Sequence, residues 1–199
     1  MKTFEVIKDS GNRREFSTGA VRDMAEGKGR CDLLPLDVIS DLFIESKCEK
    51  YERVSIILEY LNSALEFWKG KALSCDSNRI NYVVGYLYDA LKEFLKQSDF
   101  SDIPTMVLEL SVHFEQGANK YAEDNWKRGI PVNCYIDSAI RHYLKWLRGD
   151  TDERHDRAFV WNIVCCIWEV ENHGKRNTDK MGNACTDNAE GSSIELSKR

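Results

Sequence analysis

The chain has 199 residues, of which 42% are hydrophobic and 31% charged, with a formal net charge of −5 at pH 7. That length suits one ordinary domain with appendages, or two small ones, and buries about 70% of the unfolded surface without needing a disulfide or structural-metal staple. The acidic balance argues against a general nucleic-acid binder, which presents a basic face, but leaves room for a small anionic ligand held by a few local cations.

The chain begins MKTFEVIKDS, which lacks the apolar core of a signal peptide. Residues 1–35 carry a Gly- and charge-rich stretch, FSTGAVRDMAEGKGRCDLLP, with neither helical nor strand period. Gly19, Gly27 and Gly29 favour a defined loop there, and Pro35 precedes or opens the first helix. Residues 36–101 read as a helical insert. Leu36, Ile39, Leu42 and Phe43 share one face, and Val54, Ile57, Leu58, Leu61 and Leu65 share a second. Ile80, Val83, Val84, Leu87, Leu91 and Leu95 share a third. A polar link, Gly70–Asn78, separates the last two.

Residues 102–170 hold three further helices. The first opens at Asp102 with Pro104 in its first turn and runs toward Tyr121. The second follows Pro131 and stops at Gly149, and the third runs from about Asp152 to about Val170. AEDNWKRGIP is an irregular loop between the first two. Residues 171–199 are polar and without period, and are expected to be a disordered tail. No segment alternates strictly, so the expected fold is all-α: a helical bundle with a Gly-rich N-terminal loop, a helical insert and that tail. The seven cysteines are odd in number and include no C-x-x-C, so neither a zinc ribbon nor a thioredoxin-like site is indicated and a reducing compartment fits. Cys165 and Cys166 read as small buried hydrophobes. The longest apolar run, near Val160–Trp168, is too short to span a bilayer. The expected location is the cytoplasm, with no membrane or nucleic-acid partner.

Ionisable residues are densest in the last two helices. Asp137, Arg141 and Lys145 follow at i, i+4 and i+8, with His142 beside them. Glu153 and Asp156 are three apart in an expected first turn. Such an E-x-x-D pair can hold one hard divalent cation, while Arg141, Lys145 and Arg157 could neutralise phosphate oxygens. The same charges also have a purely structural reading. Acidic residues suit a helix N-terminus through the macrodipole, Asp137–Arg141 is an ordinary i,i+4 pair, and a single histidine is commonly a hydrogen-bonded structural one. His155–Asp156 is the dipeptide of HD phosphohydrolases, but the further ligands that such enzymes need are not evident. Glu109, His113, Gln116 and Lys120 form a stripe that periodicity reads as solvated, with Glu115 displaced from it near the small Gly117–Ala118 step. Tyr121 and Trp126 suit a core or the walls of a purine pocket. In the N-terminal loop, Arg22, Lys28 and Arg30 among glycines suit phosphate, though no Walker A G-K-[ST] is present.

Four stretches, STGAVRDMAEGKGRCDLLP, HFEQGANKYAEDNWKRGIP, IDSAIRHYLKWLRGD and DERHDRAFVWNIVC, resemble in that order the phage and prophage dATP/dGTP diphosphohydrolase family, grouped with the MazG-like all-α nucleotide pyrophosphohydrolases. The resemblance covers roughly residues 17–36 and 106–168. It implies cleavage of the α–β bond of dGTP or dATP to the monophosphate and diphosphate, with Mg²⁺ or Mn²⁺ held by carboxylates on the phosphate chain. Carried over, the E-x-x-D half of the MazG pattern falls on Glu153 and Asp156. The E-x-x-E half is missing, and Glu115 and Asp137 are the favoured substitutes as metal ligands. His142, with Glu153 and Asp156, is implied to be catalytic. Lys120, Arg141 and Lys145 are implied to bind phosphate, Asn125 or Asn162 base or sugar, and Trp126 and Arg157 to complete the substrate site. By the same analogy the chain is a homo-oligomer in a bacterial host's cytoplasm. The missing E-x-x-E keeps open a nucleotide-binding protein without turnover, a sponge or sensor that counters nucleotide-based defence.

Overall fold

A computed structural model describes residues 11, 13–23, 31–45, 51, 53–70, 78–98, 100 and 102–186, with side chains described for all of these except 40–43 and 174–186. The chain enters as a small hairpin, β1 (Arg13–Glu15) and β2 (Val21–Asp23), paired antiparallel with Arg14 opposite Arg22. Its turn closes through Phe16 N–H to Ala20 O and Gly19 N–H to Phe16 O, each at 2.8 Å, with Gly19 at φ +79°. The expected loop therefore contains a strand pair. Three-residue strands are too short to show a two-residue alternation, which is why the pattern gave no sign of them.

After a 3-10 turn at Cys31–Leu33 come α1 (Leu36–Glu45), α2 (Val54–Trp68) and α3 (Arg79–Leu95). The apolar stripes behave as their spacing predicts. Val54, Ile57, Leu58 and Leu61 on α2, and Val83, Leu87 and Phe94 on α3, are fully buried. The side chains of Leu42 and Phe43 lie outside the described residues. Helix α4 (Ile103–Tyr121) starts as expected: Asp102 caps it by accepting the Thr105 N–H at 2.7 Å, and Pro104 sits where no N–H is needed. A 3-10 turn, Asn125–Arg128, leads into α5 (Val132–Arg148). That helix ends at Gly149, φ +86°, where Gly149 N–H bonds Trp146 O and Asp150 N–H bonds Lys145 O, a Schellman closure.

Helix α6 spans His155–Thr186. It starts three residues later than expected, because Asp150–Arg154 form the return from the Schellman turn, and it ends well past Val170. Half of the segment expected to be a tail is thus helical. Residues 171–186 contain no proline to stop a helix, and they lack the apolar stripe that would have revealed one. Residues 187–199 lie outside the described residues.

Helix α6 is the central element, packing on α3, α4 and α5, while α2 packs on α1, α3 and α5. Fully buried Phe94 of α3 meets Phe159 at 4.4 Å between ring centroids, Trp146 at 5.2 Å and Tyr143 at 6.0 Å. Gln97 Nε2 donates to Tyr143 Oη at 2.9 Å. Helices α1, α2 and α3 thus share one core with α5 and α6. Cys165 and Cys166 are fully buried in it, as read from the sequence. Among the described residues, no helix is long and apolar enough to cross a membrane.

Candidate active site

A cavity of about 870 Å³ opens between the hairpin, the C-terminal half of α4, the Asn125 turn, α5 and the start of α6. The hairpin wall is held by side chains that act as extra strand partners. Asn125 accepts the Val21 N–H and donates to the Val21 carbonyl, both at 2.8 Å, as a neighbouring strand would. Thr18 Oγ1 donates to Gly129 O at 3.0 Å, at a glycine with φ +92° where a Cβ would lie 3.1 Å from the Thr18 methyl. Arg22 reaches from β2 to the Cys134 carbonyl at 3.0 Å and Asn162 Oδ1 at 2.9 Å, over the Tyr135 ring at 5.2 Å. Asn162 also donates to Ala158 O at 2.8 Å. Asp23 takes the Lys120 ammonium on one oxygen and the Tyr121 hydroxyl on the other, both at 2.9 Å.

The opposite wall is set by the Schellman turn, which doubles residues 150–154 back along the last turns of α5. Asp152 thereby reaches both Lys145 Nζ at 3.2 Å and His155 Nε2 at 2.7 Å. Glu153 Oε1 lies 3.1 Å from His142 Nδ1 and 3.4 Å from His155 Nδ1, and the two Nδ1 atoms are 3.0 Å apart. Burial opposes ionisation of Glu153, but the His155 hydrogen bond and the nearby histidines outweigh it and hold the carboxyl at about 2. Burial lowers His142 to about 4. Burial lowers His155 as well, yet its bonds to Glu153 and Asp152 prevail and raise it. The three side chains form a histidine–carboxylate cluster at the cavity wall.

Of the expected site residues, Arg22, Glu115, Lys120, Asn125, Trp126, Asp137, Arg141, His142, Lys145, Glu153 and Asn162 line the cavity. Lys28 and Arg30 lie outside the described residues. Several of the lining groups are already engaged. Asp137 is buried, accepts the Cys31 N–H at 2.6 Å and pairs with Arg141. Asn125 spends its amide on Val21, and Asn162 spends its own on Arg22 and Ala158. Glu115 is exposed at the cavity margin. Trp126 packs edge-on against Phe114 and Trp168, at 5.3 and 5.0 Å, and presents aromatic surface to the opening.

The remaining two residues do not join them. Glu153 precedes α6, so Glu153 and Asp156 do not share a helical first turn. Asp156 instead takes a two-pronged bond from Arg154, at 3.0 and 2.7 Å, and does not line the cavity. Nor does Arg157, which is buried behind the wall with Glu109 at 3.4 Å and Gln116 at 3.2 Å. The HD dipeptide likewise divides, His155 toward the cluster and Asp156 toward Arg154. The α4 stripe read as solvated is not so. His113 is buried and Lys120's side chain is only 6% exposed, because α4 turns this stripe onto α6 and the hairpin. Burial lowers His113 to about 3. The sequence marks neither Asp23 nor Asp152 as a site residue, sets His113 on a stripe that periodicity reads as solvated, and offers His155 only as half of an HD dipeptide. The one local signal was R-G-D after α5, whose glycine reverses the chain.

Residues 92–180 match the family model described as dATP/dGTP diphosphohydrolase, N-terminal. The expected N-terminal block, residues 17–36, lies outside that match. No curated protein matches the chain, and no solved structure does. The matched residues run from the end of α3 into α6 and carry every expected site residue except Arg22, Lys28 and Arg30. Over this segment, a little under half of its length, the chain is similar to the dATP/dGTP diphosphohydrolase family.

Proposed function

We propose that the chain hydrolyses a purine deoxynucleoside triphosphate, dGTP or dATP, to the monophosphate and diphosphate, and so adjusts a phage's nucleotide pool. The observation that carries the reading is a cavity formed largely by family-matched residues, with aromatic wall on one side and ion-paired cations on the others. Its volume falls among those that hold small molecules, about 300–1,000 Å³. Lys120, Arg141 and Lys145 meet carboxylates in Asp23, Asp137 and Asp152. A triphosphate entering the cavity would draw these cations onto its oxygens, and Trp126 and Tyr121 would wall the purine. Glu153 stays ionised and His142 neutral at pH 7, so each offers a lone pair for orienting water. A divalent ion, Mg²⁺ or Mn²⁺, would supply a nucleophilic water and steady charge on the phosphates. Of the four carboxylates expected to hold it, Glu115, Asp137 and Glu153 line the cavity and Asp156 does not.

The test is incubation of the purified protein with each dNTP and NTP plus Mg²⁺ or Mn²⁺, with diphosphate and monophosphate separated by chromatography. Release of diphosphate from dGTP or dATP is expected, and its absence under every condition refutes hydrolysis. A second reading, nucleotide capture without turnover, is favoured by one observation: Asp137 is pinned by Cys31 and Arg141, and Asp156 is turned away. Intact dGTP that nonetheless raises the melting temperature would establish it. The exposed apolar residues Ile103, Val107 and Leu108 on α4 support the reading that the chain works as a homo-oligomer, which sedimentation measures directly.

A further inference from the structure

We infer that His142, Glu153 and His155 bind one transition-metal ion of the Zn²⁺, Co²⁺ or Fe²⁺ class, in preference to Mg²⁺. His142 Nδ1, His155 Nδ1 and Glu153 Oε1 form a triangle with edges of 3.0, 3.1 and 3.4 Å. Ligands bonded at about 2.0–2.2 Å in tetrahedral array stand roughly 3.3–3.5 Å apart, so slight expansion of this triangle completes three corners. Two imidazole lone pairs directed at each other repel unless a cation, proton or metal, sits between them. Two nitrogens and one oxygen are the donor set of the borderline ions, whereas Mg²⁺ takes oxygens and retains its waters.

The support behind the ligands has the form found at metal centres. Asp152 Oδ1 stands 2.7 Å from His155 Nε2, placed to take that nitrogen's proton and so to leave Nδ1 as the donor to an ion in the cluster, and Lys145 stands 3.2 Å from the other oxygen of Asp152. The His155 side chain is fully buried, and those of His142 and Glu153 are 19% and 15% exposed. His142 and Glu153 line the cavity, so the ion would be adjacent to whatever occupies it. The catalytic use of the ion rests on the hydrolase reading, but its binding does not.

The test is titration of the nucleotide-free full chain with Co²⁺, followed by visible absorption and by calorimetry. One Co²⁺ per chain with intense visible bands is expected, displaced by Zn²⁺ but not by excess Mg²⁺. His142→Gln and Glu153→Gln should each weaken binding at least about tenfold, and Asp152→Asn by about 10–100-fold through loss of the tautomer lock. Circular dichroism checks that the variants are folded, and the wild-type titration is decisive even if one is not. Absence of saturable Co²⁺ binding, or undiminished binding in both Gln variants, overturns the site. Binding kept in Glu153→Gln but lost in Asp150→Asn would move the ion to Asp150, Asp152 and His155, and also overturns it. Co²⁺ binding as expected, with no dNTP cleaved under any metal, upholds the site and removes the hydrolase reading. Mg²⁺-driven cleavage in a chain that binds no Co²⁺ does the reverse.

Discussion

Replacing Arg22 by methionine tests whether this cation is a phosphate ligand, as the sequence suggests, or the bolt that holds the hairpin, as its contacts indicate. The variant keeps an apolar stem over Tyr135 but loses the bonds to the Cys134 carbonyl and to Asn162. Hydrogen bonds from a charged donor contribute about 1.5–3 kcal/mol each, and water admitted to the half-buried site recovers part of that, so a net loss of about 3 kcal/mol is expected. In a chain of this length each kcal/mol moves the melting temperature by roughly 2–4 °C, which places the variant about 6–12 °C below wild type. Arg22→Lys should fare little better, since an ammonium cannot span two acceptors held apart by a planar fork. Calorimetric melting of the three proteins, with and without dGTP, measures both roles. Unchanged melting in both variants together with weakened dGTP binding would refute the bolt and restore the phosphate role.

Phe94→Ala should cost about 3–5 kcal/mol and shift one cooperative transition, since the ring packs on Phe159, Tyr143 and Trp146; two separate melting steps would mean that residues 36–101 fold apart from the rest. Ala122 stands at φ +99° and ψ +156°, a region proper to glycine, at the end of α4. Ala122→Gly should relieve about 1 kcal/mol net after the entropy that glycine adds to the unfolded chain, raising the melting temperature by roughly 2–4 °C, and a fall would contradict the strain. His113 is lowered from 6.5 to about 3, chiefly by burial. Because the unfolded chain binds the proton that the folded one refuses, this residue's contribution is present above about pH 6.5 and is lost as pH falls toward 3, up to about 5 kcal/mol. Melting curves of wild type and His113→Gln over that range should therefore converge in acid. A constant gap would show that His113 is not the group responsible.

The helices were legible because their causes are local. Asp102 and Pro104 mark the start of α4, Pro131 and Gly149 bracket α5, and the stripes on α2 and α3 repeat at the helical period. Each signal depends on neighbours within one or two turns. The hairpin escaped notice because its pairing depends on Asn125 and Arg22, whose partners are more than a hundred residues away in sequence. The far half of α6 escaped because it carries no apolar stripe.

The site divides along the same line. Glu153 and His142 were named from the sequence and do meet, but by way of a turn whose consequence periodicity does not express. Asp156, three residues from Glu153, would share a helical face only if the helix had begun earlier; the Schellman return delays it, and Arg154 takes the carboxylate. His113 and Lys120 looked solvated because a stripe's polarity says nothing of what packs over it. Composition, caps and period determined by themselves an acidic, helical chain with its ionisable residues gathered near the end. Only tertiary structure decided which of those charges meet across a cavity and which neutralise one another, because that depends on long-range contacts and on the angle at which one glycine returns the chain.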